Sequence, residues 1–205
     1  MSLFGLRSMW RSPFLPRKTM LDYHDDWNII AIGALNVAQI AWWAGLASGG
    51  TALNVIYYAD IAYFITDACW LVFVPSCVPQ AVRGSLLVHH FVLCCCAPFA
   101  MGRPVLQCHL LRAWAVELHS WAHIGARRLR EPVASLCATV NKPLFFVLRL
   151  IAFPASWFVY AHQRAQLPAE LMAAHTPNIV HIPLSFAHLA MYGLMLNWGK
   201  KMFLG

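Results

Sequence analysis

The sequence predicts an all-α, polytopic membrane protein of six transmembrane helices, and three observations carry that prediction. The chain is 60% hydrophobic and only 11% charged, whereas a soluble domain is about a quarter charged. Its apolar residues fall into runs near the ~20 residues that a crossing needs, and 205 residues hold six such runs joined by short loops. The basic residues gather on one side of the resulting topology, as the positive-inside rule requires.

Taken in order, residues 1–28 read as a basic, amphipathic arm, 29–201 as one six-span membrane domain, and 202–205 as a tail. The first 20 residues carry Arg7, Arg11, Arg17 and Lys18 and no acid, a composition that resembles a retained mitochondrial targeting segment. An interfacial arm resting Phe4, Trp10 and Phe14 at the headgroups fits equally well. Asp25 or Asp26 is placed to cap the first crossing, at 29–47, which a Ser48-Gly49-Gly50 turn ends. The second crossing, 51–74, stops before Pro75. The third is 82–101, followed by a Gly102-Arg103-Pro104 turn. The fourth, 105–124, is the most polar, with His109, Arg112, Glu117, His119 and His123. A basic loop with Arg127, Arg128, Arg130 and Lys142 comes next. The fifth crossing, 144–160, carries Arg149 and an expected kink at Pro154, and the sixth is 179–198.

Six crossings put both termini on one side. That side holds Arg7, Arg11, Arg17, Lys18, Arg83, Arg127, Arg128, Arg130, Lys142, Lys200 and Lys201, against Arg103 and Arg164 opposite. The termini are therefore expected in the cytoplasm, or in the matrix if the membrane is mitochondrial. The net charge of +7 flanks apolar runs, so it signals a bilayer partner and no nucleic acid. Cys94, Cys95 and Cys96 are consecutive and no paired CxxC spacing occurs, so the cysteines form neither a disulfide framework nor a zinc site.

Asp60, Asp67, Arg112, Glu117 and Arg149 fall inside the expected crossings. Facing lipid, the five would cost roughly 12–17 kcal/mol together, so they must face inward and pair. Asp60 and Asp67 lie two helical turns apart on one face with Tyr63 and Phe64. Arg112 or Arg149 is the expected partner of one or both aspartates, and Arg112, His119 and His123 share a stripe. His89 and His90 point about 100° apart, so at most one is expected to point straight at the bundle centre. Imidazole there suits a general base, an acyl carrier or a metal ligand. Spacing selects no haem pair from His90 with His119 or His123, and a di-iron site lacks most of its ligands. No metal or cofactor is expected. Ion pairing that only holds helices together remains an equal alternative to chemistry.

The ordered set Tyr63-Phe64-Ile65-x-Asp67, His89-His90-Phe91, Glu117-Leu118-x-Ser120 and Arg127-Arg128-Leu129 resembles the TLC domain, named for TRAM, Lag and CLN proteins. Leu148-Arg149-Leu150, Pro154, Tyr160 and Leu196-Asn197-Trp198-Gly199-Lys200 extend the resemblance over about 30–201. It implies a six-helix membrane barrel around a lipid-accessible tunnel. In the ceramide synthases of that family the paired histidines serve acyl transfer from acyl-CoA. The resemblance would give that role to His89 and His90, with Asp67 and Glu117 lining the cavity. Synthases carry a longer signature after the histidines and an aspartate on the following helix, and the fourth crossing here has none. The chain is more similar to the non-synthase branch.

Two functions follow. The first is a lipid-binding accessory subunit of a larger membrane complex, holding a phospholipid or acyl lipid among Asp60, Tyr63, Asp67, His89, His90, Arg112, Glu117 and Arg149. Its partners would be the bilayer and other membrane-protein subunits, in a mitochondrial inner-membrane, respiratory-type assembly or else the endoplasmic reticulum. The second is an acyl-CoA-dependent lipid acyltransferase using His89 or His90.

Overall fold

The structure, a computed structural model, describes residues 12–204, and among these it is all-α with no strand. Phe4, Trp10 and most of the expected targeting segment lie outside the described residues, as does Gly205. The helices are α1 Met20–Trp43, α2 Gly50–Phe73, α3 Gln80–Ala100, α4 Pro104–Trp114, α5 Glu117–Arg128 and α6 Val133–Leu144. A π-helical segment, Phe145–Ala152, continues into α7 Phe153–Ala165; α8 Ala169–His175 and α9 Asn178–Leu204 follow. Among the described residues, four stretches are long and apolar enough to cross a membrane: α2, α3, the continuous Val133–Ala165, and α9. The chain is an α-helical membrane protein.

The elements depart from expectation at five points, each with a local cause. The first helix starts at Met20, capped by Thr19, whose side chain accepts from the Asp22 amide while Asp22 reaches back to the cap. That capping box displaces Asp25 and Asp26 from the expected role. Helix α1 is long enough to span but is not among the four, because His24, Asp25, Asp26, Asn28, Asn36 and Gln39 make its buried face polar. The expected fourth crossing is broken. Leu118 and His119 donate to Ala115 and Val116, three residues back, and this tighter turn advances each residue by about 120° instead of 100°. The side chains of α5 are thereby rotated away from the stripe of α4. The basic loop is mostly helix, since α6 begins at Val133. At the expected Pro154 kink, the wider π turn directly precedes the residue that lacks an amide donor.

The helices close on themselves around one end of the bundle. Helix α1 packs on α2 and α5, α2 on α3, α3 on α9, α9 on the π segment, and α6 on α5. Tyr57, Phe64, Leu111 and Trp114 fill the middle, with Tyr57 stacked on Trp114 at 5.5 Å and its hydroxyl donating to the Ala97 carbonyl. Close approach of α5 and α6 requires Gly125: a Cβ there would sit 2.8 Å from Cys137 Sγ and 3.2 Å from a Leu129 methyl.

Acids of α1 and bases of α5 bind the chain's first described residues to its middle. Arg127 grips Asp25 with Nε and Nη2, both at 2.7 Å. Arg128 donates to Asp26 at 2.9 Å, to Asp22 at 3.1 Å and to the Leu15 carbonyl at 2.9 Å. Arg17 reaches the other Asp26 oxygen at 2.7 Å. The Leu15 amide donates to the Arg128 carbonyl and the Arg130 amide to the Pro13 carbonyl, so the segment before α1 is strapped to the end of α5. The amides of Lys18 and Thr19 hold the Asp22 carboxyl below its ordinary 3.8. A depressed carboxyl stabilises the fold above that value, and its contribution is lost as acid titrates it through the lower one.

Arg128→Ala leaves two acids without their buried cation. It is expected to cost about 3–5 kcal/mol, and Arg128→Lys should not restore it, because an ammonium cannot serve the planar fork. Arg127→Ala strips Asp25, whose side chain is 2% exposed, of both its hydrogen bonds and should cost at least about 1–3 kcal/mol. Thermal unfolding in detergent checks all three. Gly125→Ala is expected to destabilise by about 1–3 kcal/mol through overpacking, while Gly193→Ala, with nothing within 4 Å of its Cβ, serves as the neutral comparison.

Candidate functional site

Where α1 begins and α5 and α9 end, the ring of helices encloses a cavity of about 440 Å³, within the ~300–1,000 Å³ of ligand pockets. Leu21, Asp25, Pro79, Arg127 and Met202 lie at its outer end, and Ile32, Leu86, Ile124 and Phe145 supply apolar wall. The rest of the wall is largely polar, and two carboxylates organise it.

Asp67, from the inner face of α2, is shared. His24 Nε2 on α1 lies 2.6 Å from one oxygen and His90 Nε2 on α3 lies 2.7 Å from the other. With Nε2–H donating, each ring is fixed in tautomer and orientation by the carboxylate. Asn28, one turn along α1 from His24, accepts from the Tyr63 hydroxyl at 3.0 Å, and Phe64 packs against both His89 and His90. Glu117, in the first turn of α5, is held more loosely. Its Oε1 is 3.6 Å from His89 Nε2 and 3.8 Å from Arg149 Nη2, beyond good hydrogen-bond length. Arg149 comes from the π segment and is 4% exposed. It donates from Nε to His119 Nδ1 at 3.1 Å and from Nη2 to Ser120 Oγ at 2.7 Å, with its guanidinium over the Trp198 ring at 5.4 Å.

Among the residues singled out in the sequence, Tyr63, Asp67, His89, His90, Glu117 and Arg149 line this cavity. Asp60 and Arg112 do not. Asp60 accepts from Gln39 Nε2 at 2.9 Å, further along α2. Arg112 donates to Gln163 at 2.9 Å, because the tight turn after α4 separates it from His119. The expected pairing of Arg112 or Arg149 with the aspartates is thus overturned. Histidines take Asp67, a neutral amide takes Asp60, and Arg149 lies by Glu117. The divergence of His89 and His90 sends them to different acids, yet both rings reach the cavity, 5.1 Å apart. Reasoning on the sequence missed His24, and with it Asn28. Their signal was the spacing of His24, Asn28, Ile32, Asn36 and Gln39, which puts one polar-rich stripe on α1.

Fold and cavity together define a helical membrane protein with a buried His–carboxylate cluster. No family model, no curated protein and no solved structure matches the chain.

Asp67→Asn leaves one histidine facing an amide donor where it had an acceptor. It is expected to cost at least about 2 kcal/mol. Asp60→Asn preserves an amide contact with Gln39 and should stay within about 1 kcal/mol. Parallel thermal unfolding of the two variants measures the contrast; equal losses would contradict the pairing.

Proposed function

We propose that this protein is a lipid-binding accessory subunit of a larger membrane assembly, and that its cavity holds a phospholipid or acyl lipid against the His–carboxylate cluster. The observation that carries the reading is the cavity itself: a space of ligand size whose wall joins apolar side chains such as Ile32, Ile124 and Phe145 to the His–carboxylate cluster. A lipid has that same division of character. The TLC-like architecture proposed here has six crossings. Helix α1 and the broken pair α4–α5 join the four apolar stretches. Both termini lie on the basic side, the matrix face of the mitochondrial inner membrane in preference to the endoplasmic reticulum. A holding role in place of catalysis is supported by the sharing of Asp67: His90 has its Nε2 on a carboxylate that also carries His24, and acts as a strut between helices.

A second reading, acyl transfer from acyl-CoA, is favoured by one specific observation. The cavity reaches both His89 and His90 from the end of the bundle where Arg127 lies. Extraction in mild detergent followed by native sizing and mass spectrometry separates the two readings. The subunit reading expects co-migration in a large complex of fixed stoichiometry with lipid retained. A monomer or dimer carrying acyl-CoA, with transfer activity lost in both His89→Ala and His90→Ala, would replace it with the enzyme.

A further inference from the structure

The corner of the cavity formed by α5 and the π segment holds donors that the protein does not use. Arg149 donates from Nε into His119 Nδ1. A ring nitrogen that accepts has no hydrogen, so the neutral ring carries its proton on Nε2. Among the described residues, His119 Nε2 has no hydrogen-bond partner, and neither has Nη1 of Arg149. Both side chains are nine-tenths or more buried, at 5% and 4% exposure, and both residues line the cavity. The Glu117 carboxylate balances the charge of Arg149 from 3.8 Å at Nη2 and leaves both open atoms without a partner. Two buried donors left open on neighbouring side chains, one of them cationic, call for an acceptor, because each unmade bond costs about 1–3 kcal/mol and more for a charged group. Charge-assisted bonds to anionic oxygen are the strongest available to a guanidinium.

We propose that Arg149 and His119 bind the anionic oxygen of a lipid headgroup, a carboxylate or a phosphate, at this corner. The assignment rests on the lipid-holding reading above and names the chemistry of the lipid. The apolar wall formed by Ile32, Ile124 and Phe145 faces the chain, and the open donors take the head. Glu117 remains the neutralising neighbour, so the occupied site carries a single excess negative charge shared over two donors.

The purified full-length protein is challenged in detergent with oleate, phosphatidylglycerol, monoolein and inorganic phosphate, and retention is read by native mass spectrometry. Oleate, phosphatidylglycerol or both should be retained, and monoolein and inorganic phosphate should not compete with them. Oleate alone identifies a carboxylate and phosphatidylglycerol alone a phosphate. The charge-balanced double variant Arg149→Gln/Glu117→Gln should hold the anionic lipid about tenfold to a hundredfold more weakly. His119→Phe leaves the Arg149–Glu117 pair in place and sets an apolar ring beside Phe145, so it provides a second test if the double variant does not fold. It should lose about tenfold. Retention of monoolein equal to that of the anions, or unchanged retention by a folded variant, overturns the headgroup assignment and leaves lipid binding standing. Retention of no lipid at all would end both.

Discussion

An ionisable group inside an apolar bundle must find a partner, and Asp67 meets that constraint by taking two. Its oxygens accept from His24 on α1 and His90 on α3 while its own backbone belongs to α2. One carboxylate thus fixes the relative rotation of three helices, in a medium where association by the hydrophobic effect is weak. Rotating any of the three by one residue would remove a donor from the pair and leave charge unmet. The cavity is what the remaining helices enclose once those three are set.

The opposite wall follows a different logic. Arg149 is delivered by a π turn, which spaces its side chains unlike the α-helix on either side. It brings the guanidinium against His119, Ser120 and the Trp198 ring, and only within ion-pair range of Glu117. One side of the cavity therefore carries two short His–carboxylate contacts, and the other holds the unpartnered His119 Nε2 and Arg149 Nη1.

Composition made the apolar helices legible, because length and hydropathy depend on nothing outside each segment. The inward orientation of Asp67, His89, His90, Glu117 and Arg149 was legible for the same reason: burial was the only inexpensive option. Partner identity was not. Opposite charge favours Arg149 with Asp67, and only three-dimensional placement shows that His24 and His90 reach Asp67 first. The break at Ala115-Val116 left no mark either, since neither Gly nor Pro stands there to announce it. It was this break that carried Arg112 away from the stripe it shares with His119 on an unbroken helix. His24 was obscured by position, lying in a stretch that read as polar lead-in and is the first turns of α1.

The strap between residues 13–26 and the end of α5 joins residues 102 to 117 positions apart. During synthesis Asp25 and Asp26 are therefore made long before Arg127 and Arg128 exist. The first helix emerges with Asp25 unpaired and Asp26 held by Arg17 alone, and its last contacts form only once more than half of the chain has been made. The apolar α2 and α3 can enter the bilayer on their own hydropathy, and α1 joins them when α5 arrives with the matching charges.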